Sequence, residues 1–394
     1  MLEVRAALDI VLRHVKPLPA VTARPVLGDV LAENVAADRD SPPFTKSAMD
    51  GYAVRAADCQ NSAAILHIID EVAAGDTPGK SVGPGECVRI FTGAPIPDGA
   101  DAVVMVEKTE TIDHGRVRVD EAGVHAGVNV IPRGIEMQAG EVVLPAGTVL
   151  TPAAIGLLAG IGRASVATVP APKVNILATG NELVDVTEVP GPGQIRNSNG
   201  PMIAALATRA GAVATHLGIV KDDPRELTAR IRAGLEGAAG LILAGGVSAG
   251  AADLVPGVLA ELGVTTHFHR VRLKPGKPLL FGTIGDKFVF GLPGNPVSAF
   301  VCFALFVCPA IRALAGHADP GPHLQPLPLA GPLATTNDRP TYYPAKLFAE
   351  GKVTPLPWFG SADLRAMLAA DALLALPAGS VSLPAGHVMD VLVL

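Results

Sequence analysis

The sequence predicts a multidomain α/β plus β protein built around a doubly wound α/β domain. The chain has 394 residues, more than one ordinary domain contains. Between residues 170 and 316, short apolar strands alternate with helices, as in the βαβ units of a mostly parallel sheet. The chain also contains 43 glycines and 35 prolines, and the short Val- and Ile-rich runs outside this region indicate small β domains.

The composition excludes several classes of protein. Hydrophobic residues make up 49% of the chain and charged residues 17%, which rules out a disordered chain or a coiled coil. The formal net charge of −6 argues against a general nucleic-acid binder, because such proteins usually carry net positive charge. An anionic ligand would therefore need a local cluster of cations and backbone N–H groups.

The N-terminus, the cysteines and the longest apolar run all indicate a soluble, cytoplasmic protein with no membrane partner. Charges interrupt the first apolar residues, so no signal peptide is expected. Four cysteines do not make a disulfide framework. The longest continuous apolar run, residues 297–308, suits a buried helix better than a membrane span of ~20 residues.

Apolar spacing and turn residues place the elements of the first 169 residues. Helical spacing predicts an amphipathic helix over residues 2–15. Residues 39–138 carry short Val/Ile runs between Gly, Pro and Asp, so we expect a small β domain there. Residues 139–169 contain one strand and an apolar helix that begins at Thr151-Pro152 and continues to Gly160.

The alternation of strands and helices predicts the order of elements in the α/β domain. The expected strands cover residues 174–178, 212–219, 240–244, 264–270 and 287–291. The expected helices cover residues 200–210, 224–235, 253–262 and 296–314. From residue 317 the chain is rich in proline and predicts a separate small β domain, with one helical stretch at 361–370.

Four loops with unusual residues follow the predicted strands, at 178–182, 244–253, 270–277 and 291–298. In open parallel sheets, ligands bind beyond the carboxyl ends of the strands. Gly245-Gly246 lets the backbone approach a ligand, and successive N–H groups can form an anion-binding nest, to which Ser248 adds a hydroxyl. In the last loop, Asn295 is placed to cap the following helix.

Charged residues are concentrated in and around these loops. The cations are Arg270, Arg272, Lys274 and Lys277, and the carboxylates are Glu182, Asp222, Asp223 and Asp253. Cations and a glycine loop suit a phosphate, and carboxylates suit Mg²⁺. The sequence therefore predicts a phosphate-containing ligand bound with Mg²⁺. The loop is not a Walker A loop, since no Gly-Lys-Ser/Thr follows the glycines.

Each feature also has a purely structural interpretation. A glycine pair after a strand is usually a turn, one of the two arginines can simply face solvent, and each aspartate can cap a helix. His267 and His269 alternate on a strand, and without a third ligand we favour a surface face over a metal site. No Ser/His/Asp triad is visible. The conjunction of four loops at one sheet edge favours a ligand site.

Seven short motifs are spread over most of the chain. They are Ser47-Ala-Met-Asp-Gly-Tyr-Ala-Val-Arg55, Thr92-Gly-Ala-Pro95, Thr179-Gly-Asn-Glu182, Gln194-Ile-Arg-Asn-Ser-Asn199, Gly245-Gly-Val-Ser-Ala-Gly250 with Asp253, Lys274-Pro-Gly-Lys-Pro278 and Gly291-Leu-Pro-Gly-Asn-Pro-Val-Ser298. Any one of them is a weak signal, but seven in this order are highly specific. Together they resemble the molybdopterin molybdenumtransferase family, the bacterial counterpart of the gephyrin E domain.

The resemblance implies four domains and an elongated homodimer. Residues 18–38 and 139–169 would form a linking α+β domain, and residues 39–138 a small β domain. Residues 1–17 and 170–316 would form the molybdopterin-binding α/β domain. Residues 317–394 would form a C-terminal β-barrel-like domain.

The resemblance also implies the reaction. Adenylated molybdopterin and molybdate would give molybdenum cofactor and AMP with the help of Mg²⁺, and the molybdopterin adenylyltransferase is an expected partner. The implied catalytic residues are Asp50, Glu182, Asp253 and Lys274. The implied substrate-binding residues are Thr92, Arg133, Gly245, Gly246, Ser248, Arg270, Lys277, Pro293, Pro296 and Ser298. The implied metal ligands are Glu182, Asp253 and either Asp222 or Asp223.

Three of these residues, Asp50, Thr92 and Arg133, match family positions that reach the site from the partner subunit. Some positions depart from the family pattern. The family often has Gly-Glu-Asp where this chain has Gly134-Ile-Glu136, and it prefers Asp or Asn where Thr45 lies. In the C-terminal domain, Arg339 and Ser361 are loose matches only.

Two other functions remain open at this point. One is a non-catalytic molybdopterin-binding scaffold, because gephyrin-type domains also anchor other proteins. The carboxylates Asp50, Glu182 and Asp253 favour catalysis over that role, since a scaffold would not need them. The other is a tungstate-inserting paralogue, because molybdate and tungstate are tetrahedral dianions of nearly equal size.

Overall fold

The computed structural model of the protein describes residues 1–61, 63–247 and 254–394 and divides the chain into two units. The first unit comprises Met1–Glu33, Ala146–Ile155 and Ser165–Leu394. The second comprises Asn34–Pro145 and Gly156–Ala164. The four-domain division from the sequence is finer than these two units and stays a prediction.

A six-stranded sheet forms the centre of the first unit. Its strand order is Val213–Val220, Lys173–Thr179, Gly240–Ala244, Lys287–Leu292, Leu280–Ile284 and Thr265–Phe268. The first four strands are parallel, and Leu280–Ile284 is antiparallel to both of its neighbours. The sequence did not predict Leu280–Ile284. The two-residue turn Gly285-Asp286 that joins it to the next strand is a hairpin signal that could have revealed it.

Helices cover both faces of this sheet, which confirms the predicted doubly wound α/β domain. The helices are Val4–His14, Asn199–Arg209, Pro224–Leu235, Val255–Glu261 and Pro296–Leu314. Alternate residues of one central strand belong to different cores. Ile242 packs in the cluster that contains the N-terminal helix and Pro296–Leu314, whereas Leu241 and Leu243 pack in the cluster under Pro224–Leu235.

The helix Pro296–Leu314 is buried in one of these cores. By length and composition it could cross a membrane, with 19 residues and a mean hydropathy of 2.1, but 78% of its most apolar window is buried inside the protein. Pro309 lies within it and has no backbone N–H. The helix widens into a π turn at Phe303–Val307, which ends two residues before this proline, and a π turn accommodates the missing hydrogen bond.

The first unit also contains a C-terminal set of strands. A five-stranded antiparallel sheet has the order Leu324–Pro328, Val388–Val393, Ala372–Leu376, Thr341–Leu347 and Val353–Pro355. Leu333–Asn337 pairs separately with Gly379–Leu383. The helical stretch predicted at 361–370 is the helix Leu364–Ala369. The remaining strands of this unit are Val21–Ala23, Val30–Leu31, Val166–Val169, Leu183–Val184 and Ile195–Arg196.

The second unit is built on a six-stranded mixed sheet. Its strand order is Ala102–Met105, Gly51–Val54, Glu86–Ile90, Ala64–Val72, Arg116–Val119 and Thr109–Asp113. Two short pairs accompany it, Val130–Ile131 with Lys46–Ser47 and Val142–Leu144 with Val35–Ala36. Single turns of 3-10 helix occur at Ala56–Cys59 and Val106–Lys108. The division between the units falls within the helix Pro152–Gly160.

Candidate functional site

The strands of the α/β sheet place the predicted loops at one edge. Thr179, Ala244 and Leu292 end three neighbouring parallel strands. The strand Thr265–Phe268 runs in the same direction, because it and Lys287–Leu292 are both antiparallel to the strand between them. The four loops therefore leave the sheet at the same edge. A cavity of about 870 Å³ lies there, and each of the four loops contributes to its walls.

Gly245 lies where three strand ends converge, and only glycine fits its position. It has a φ of +100°, and a Cβ would lie 2.4 Å from the carbonyl oxygen of Thr179. Its N–H donates to the carbonyl of Leu292 at 3.0 Å, so this N–H is not free to bind an anion as the sequence predicted. Gly246 has a φ of +65°, and a Cβ there would lie 2.7 Å from Val255 Cγ2. Gly245 lines the cavity, while Gly246 packs behind it.

Asp222 is bound to the loop that follows the first of these strands. Its Oδ1 accepts a hydrogen bond from Thr179 Oγ1 at 3.0 Å, and its Oδ2 accepts one from the Asn181 N–H at 3.3 Å. Its own N–H donates to Asn181 Oδ1 at 3.1 Å. Glu182 follows in the same loop and lines the cavity. Asp222 is therefore fixed beside a residue of the cavity wall.

Asp223 has a different position from Asp222. Its Oδ1 accepts hydrogen bonds from the N–H groups of Arg225 (3.0 Å) and Glu226 (2.9 Å), so it is the N-cap of the helix Pro224–Leu235. The sequence left open which of the two aspartates belongs to the site. The geometry favours Asp222, since the capping bonds orient Asp223 towards its own helix.

Lys274 and Lys277 both line the cavity, on a loop held by the C-terminal strands. The Lys274 N–H donates to the carbonyl of Pro340 at 2.9 Å, and the Lys274 carbonyl accepts from the Tyr342 N–H at 2.8 Å. Between the lysines, Gly276 has a φ of +120°, and a Cβ there would lie 2.5 Å from Cys302 Sγ. The loop conformation thus depends on glycine and on the C-terminal strands.

The two arginines of this loop lie elsewhere. Arg272 forms an ion pair with Glu3, with 3.0 Å between Nη1 and Oε1. Arg270 is exposed to solvent. Neither contributes to the cavity wall in the described part of the chain. The structure therefore does not bring Arg270 together with the lysines at the cavity.

The fourth loop contributes Pro293 and Ser298 to the cavity wall. Asn199 Nδ2 donates to the carbonyl of Gly294 at 2.7 Å and holds the loop in place. Asn295 occupies the N-cap position of this helix, as predicted, but its side chain makes no capping hydrogen bond. Its Nδ2 donates to Ser361 Oγ at 2.8 Å. Pro296 starts the helix and does not line the cavity.

The C-terminal strands provide a second wall, which the sequence hardly indicates. We use the name C-terminal wall for Asn337, Arg339, Tyr343, Trp358 and Ser361, all of which line the cavity. Only Arg339 and Ser361 carry a sequence signal, as loose matches to the family pattern. For the other three residues the sequence offers a single hint, which is that Trp358 is the only tryptophan of the chain.

Asp50 and Thr92 form a hydrogen-bonded pair in the second unit. The N–H and the Oγ1 of Thr92 both donate to Asp50 Oδ1, each at 2.7 Å. Both bonds lower the pKa of the exposed Asp50 carboxyl below its usual value, and the backbone bond contributes more than the side-chain bond. Asp50 is therefore ionised at neutral pH.

Two further polar contacts of the second unit involve predicted or divergent residues. Arg133 Nε donates to Asp40 Oδ2 at 2.6 Å, and this bond contributes to a lowered pKa of Asp40, after the bond from the Ala139 N–H. Glu136, at the position where the chain departs from the family pattern, accepts a hydrogen bond from Ser41 Oγ at 2.7 Å. Its Oε1 lies 3.7 Å from Lys46 Nζ.

Two predicted site residues, Ser248 and Asp253, lie outside the described residues. His267 lies on the strand Thr265–Phe268 and His269 directly after it, and both are half-buried rather than on a surface face as predicted. The ring of His267 stacks on His14 with 3.8 Å between centroids, and His269 Nε2 lies 2.9 Å from the carbonyl oxygen of Val247. Burial and the neighbouring His14 lower the pKa of His267.

The described carboxylates limit the type of magnesium site that this edge of the sheet would offer. Among residues 1–61, 63–247 and 254–394, no three His, Cys, Asp or Glu side chains form a group that could hold a metal ion. Mg²⁺ commonly binds one or two carboxylates and takes its other ligands from phosphate and water. Glu182 lines the cavity and Asp222 is bonded to the loop that carries it, so a magnesium site here would need a bound phosphate to complete the coordination rather than a cage made of protein alone.

Three family models match successive parts of the chain. The model described as "MoeA N-terminal region (domain I and II)" matches residues 2–162. The model described as "Probable molybdopterin binding domain" matches residues 175–313, which include the cavity loops. The model described as "MoeA C-terminal region (domain IV)" matches residues 326–394.

Relatives and solved structures match the chain over nearly its whole length. The molybdopterin molybdenumtransferase of Staphylococcus aureus (strain COL) is 35% identical over 99% of this chain and 94% of its own. That of Bacillus subtilis (strain 168) is 36% identical over 92% of this chain and 87% of its own. The crystal structure of the molybdopterin biosynthesis MoeA protein from Pyrococcus horikoshii OT3 has a TM-score of 0.81, 28% identity and 100% coverage of both chains.

Proposed function

This chain belongs to the molybdopterin molybdenumtransferase family, and on that premise we propose that it inserts molybdate into adenylated molybdopterin and releases AMP. It is a transferase, as its curated relatives are. The observation that carries the proposal is the cavity at the strand ends, where Lys274 and Lys277 lie beside the glycine loop. A cationic cavity suits both the adenylated pterin phosphate and the molybdate dianion.

The residues of the cavity support a division of tasks. Lys274 and Lys277 bind anionic oxygens, and charge-assisted hydrogen bonds of this kind are roughly twice as strong as neutral ones. Gly245 and Pro293 shape the floor on which the ligand rests. Glu182 and Asp222 would hold Mg²⁺, with Asp253 as a further ligand implied by the resemblance. A bound Mg²⁺ would neutralise the negative charge that develops on the phosphate as AMP leaves.

The proposal extends to a homodimer with shared sites. By resemblance, Asp50, Thr92 and Arg133 act on the substrate that a second copy of the chain holds. The low pKa of Asp50 suits a permanently charged carboxylate that orients a ligand or metal rather than one that donates a proton. Mixing Asp50→Ala protein with Lys274→Ala protein should restore part of the activity through heterodimers. No recovery after confirmed subunit exchange would contradict shared sites.

The reaction needs adenylated molybdopterin, so an adenylyltransferase that produces it is the partner we propose for this chain. The cytoplasm is the compartment we propose for both proteins, because ATP is available there for adenylation. A pull-down with the adenylyltransferase, compared with and without its substrate, would test the first point. Fractionation of cells that express the protein would test the second.

The central experiment measures AMP release. The purified protein is incubated with adenylated molybdopterin and Mg²⁺, and with molybdate, with tungstate or with no oxyanion. We expect AMP release that depends on molybdate. Binding of the adenylated pterin without any AMP release would support the scaffold function instead. Faster release with tungstate than with molybdate would support the tungstate-inserting alternative.

Two neighbouring aspartates provide a matched pair of variants for the metal. Asn caps a helix about as well as Asp, so Asp223→Asn should change neither stability nor turnover. Asp222→Asn keeps the shape of the side chain but removes a negative oxygen, so we expect it to need a higher Mg²⁺ concentration for half-maximal AMP release. Equal Mg²⁺ dependence of both variants and the wild type would exclude Asp222 as a metal ligand.

A further inference from the structure

Aromatic side chains are scarce in this chain, and two of them line the cavity. The chain has three tyrosines and one tryptophan. Tyr343 and Trp358 both contribute to the C-terminal wall, and both are only half-buried. Their rings pack edge to face, with 5.1 Å between centroids and an interplanar angle of 84°. The pair is therefore a rigid aromatic surface that faces an open cavity.

The same cavity is cationic elsewhere. Lys274 and Lys277 come from the loop after the strand Thr265–Phe268. A ligand that fills this space is expected to have an anionic part for the lysines and an apolar, flat part for the aromatic pair. Conjugated heterocycles bind protein aromatic rings by stacking, largely independently of their hydrogen-bonding pattern.

Buried polar atoms without partners are concentrated at the same cavity. Four of them, Asn199 Oδ1, Asn337 Nδ2, Arg339 Nε and Trp358 Nε1, belong to residues of the cavity wall and have no hydrogen-bond partner in the described part of the chain. Buried polar groups are normally paired, so this concentration needs an explanation. The set contains both acceptor and donor atoms, and the edge of a heterocycle such as adenine or a pterin offers both. Because these atoms are shielded from water, small side-chain rotations must accompany their pairing.

We propose that Tyr343 and Trp358 form the recognition surface for the flat heterocycle of the substrate, with Asn199 and Asn337 available to its edge. The inference rests on the proposed function and makes Trp358 a specificity-determining residue at that site. Two parts of an adenylated pterin have this chemistry, the adenine and the pterin. The experiment therefore tests them separately.

The single tryptophan makes a direct binding test possible with the unmodified protein. Excitation at a wavelength that selects tryptophan reports on Trp358 alone, since the chain has no other tryptophan. The protein is titrated in turn with AMP, with a simple unsubstituted pterin and with ribose 5-phosphate, which has the phosphate but no ring. We expect saturable quenching by AMP or by the pterin, whichever ring stacks on Trp358, and none by ribose 5-phosphate.

Variants then measure the contribution of the stacking. Trp358→Leu should weaken the binding of the quenching ligand ~5- to 150-fold, the equivalent of ~1–3 kcal/mol for base–aromatic stacking. Trp358→Phe keeps a ring and should weaken it much less. Phe359→Leu is the matched control, because Phe359 is the next residue and is 92% exposed. Calorimetry measures all three affinities, and thermal unfolding shows whether each variant is folded.

The outcomes separate this inference from the proposed function. Quenching by neither ring, although calorimetry detects binding, would overturn the inference, as would a Trp358→Leu affinity within two-fold of wild type. If Trp358→Leu does not fold, the wild-type titration alone decides. Failure of the wild type to release AMP from adenylated molybdopterin would count against the function but leaves the ring titrations valid.

Discussion

The two walls of the cavity differ in how their polar groups are used. On the α/β side, the polar atoms bond to one another: Thr179, Asn181 and Asp222 form a closed set, and Asn199 holds Gly294. On the C-terminal wall, Asn337, Arg339 and Trp358 each leave a buried nitrogen without a partner in the described residues. Among the described residues, the polar groups of the α/β side are thus mostly paired without ligand, with Asn199 Oδ1 as an exception, whereas three nitrogens of the C-terminal wall are unpaired.

This difference suggests that the paired groups position the loops, whereas the unpaired groups recognise the ligand. Groups that are already paired keep the loops in one conformation and have few hydrogen-bonding atoms left for a ligand. Unpaired groups cost stability in the free protein and gain partners only when something enters the cavity. We therefore expect changes to the glycines and paired groups of the α/β side to affect stability first, and changes to the cavity lysines and to the C-terminal wall to affect binding first.

The largest expected effect is at Gly245. Gly245→Ala introduces a Cβ at 2.4 Å from the Thr179 carbonyl and places alanine at a φ of +100°. Strained backbone of this kind costs ~1–3 kcal/mol, and the clash adds to it, so we expect a lower melting temperature and loss of most activity. The control is Gly257→Ala, at a helical position with open space around it, which should be neutral or stabilising by up to ~1 kcal/mol. Equal melting temperatures for the two variants would contradict the proposed rigidity of the α/β side.

The next effect concerns the loop that carries Lys274 and Lys277, which we call the lysine loop. Lys274→Ala should weaken the binding of adenylated molybdopterin by roughly 10- to 150-fold, because a charge-assisted hydrogen bond contributes ~1.5–3 kcal/mol. Arg272→Ala removes a cation from the same loop whose partner is Glu3, away from the cavity, and should leave affinity nearly unchanged. Calorimetry with both variants measures this. Equal losses would mean that the general positive charge of the loop, rather than Lys274 itself, binds the ligand.

Two buried asparagines compare a paired group of the α/β side with an unpaired group of the C-terminal wall, and of the two only Asn337 lines the cavity. Asn197 is 3% exposed, accepts from the Gly200 N–H at 2.9 Å and lies 3.2 Å from His216 Nε2. Asn197→Leu leaves these partners unsatisfied and should cost ~1–3 kcal/mol. Asn337 is 5% exposed with an unpaired Nδ2, so Asn337→Leu should have a free energy of unfolding close to that of the wild type, yet bind ligand more weakly. If denaturant unfolding shows equal destabilisation for the two variants, the distinction between the walls is wrong.

The smallest effect extends the comparison to the second unit. Thr92→Val removes the hydroxyl bond to Asp50 but keeps the backbone bond, so the pKa of Asp50 should rise towards, without reaching, its usual value. A carboxyl whose pKa is lowered by folding contributes stability above its unfolded pKa, and this is lost as the pH falls through the folded value. The variant should therefore lose less stability on acidification. Carboxyl NMR titration checks the shift, with Asp113, held by Arg116, as an unchanged internal reference.

The sequence predicted most of the α/β side of the cavity because local patterns encode it. Strand ends, glycines and basic residues occur close together in the chain, and the parallel sheet brings them to one edge. Asn337 and Trp358 are different, because they reach the cavity only through the pairing of distant strands. Local patterns also could not show that the N–H of Gly245 is already bonded, or that Asn295 bonds Ser361 from its N-cap position, since both depend on tertiary contacts.

The backbone bonds of Lys274 limit how this protein can be rearranged. The residue is joined to the C-terminal strands by two hydrogen bonds, one on each side of Thr341. A chimera that exchanged residues 317–394 for another β domain would have to supply an edge in the same register, or the lysine would lose its support. The C-terminal strands are thus not an interchangeable appendage, and any gene fusion or truncation that removes them also removes the frame of the lysine loop.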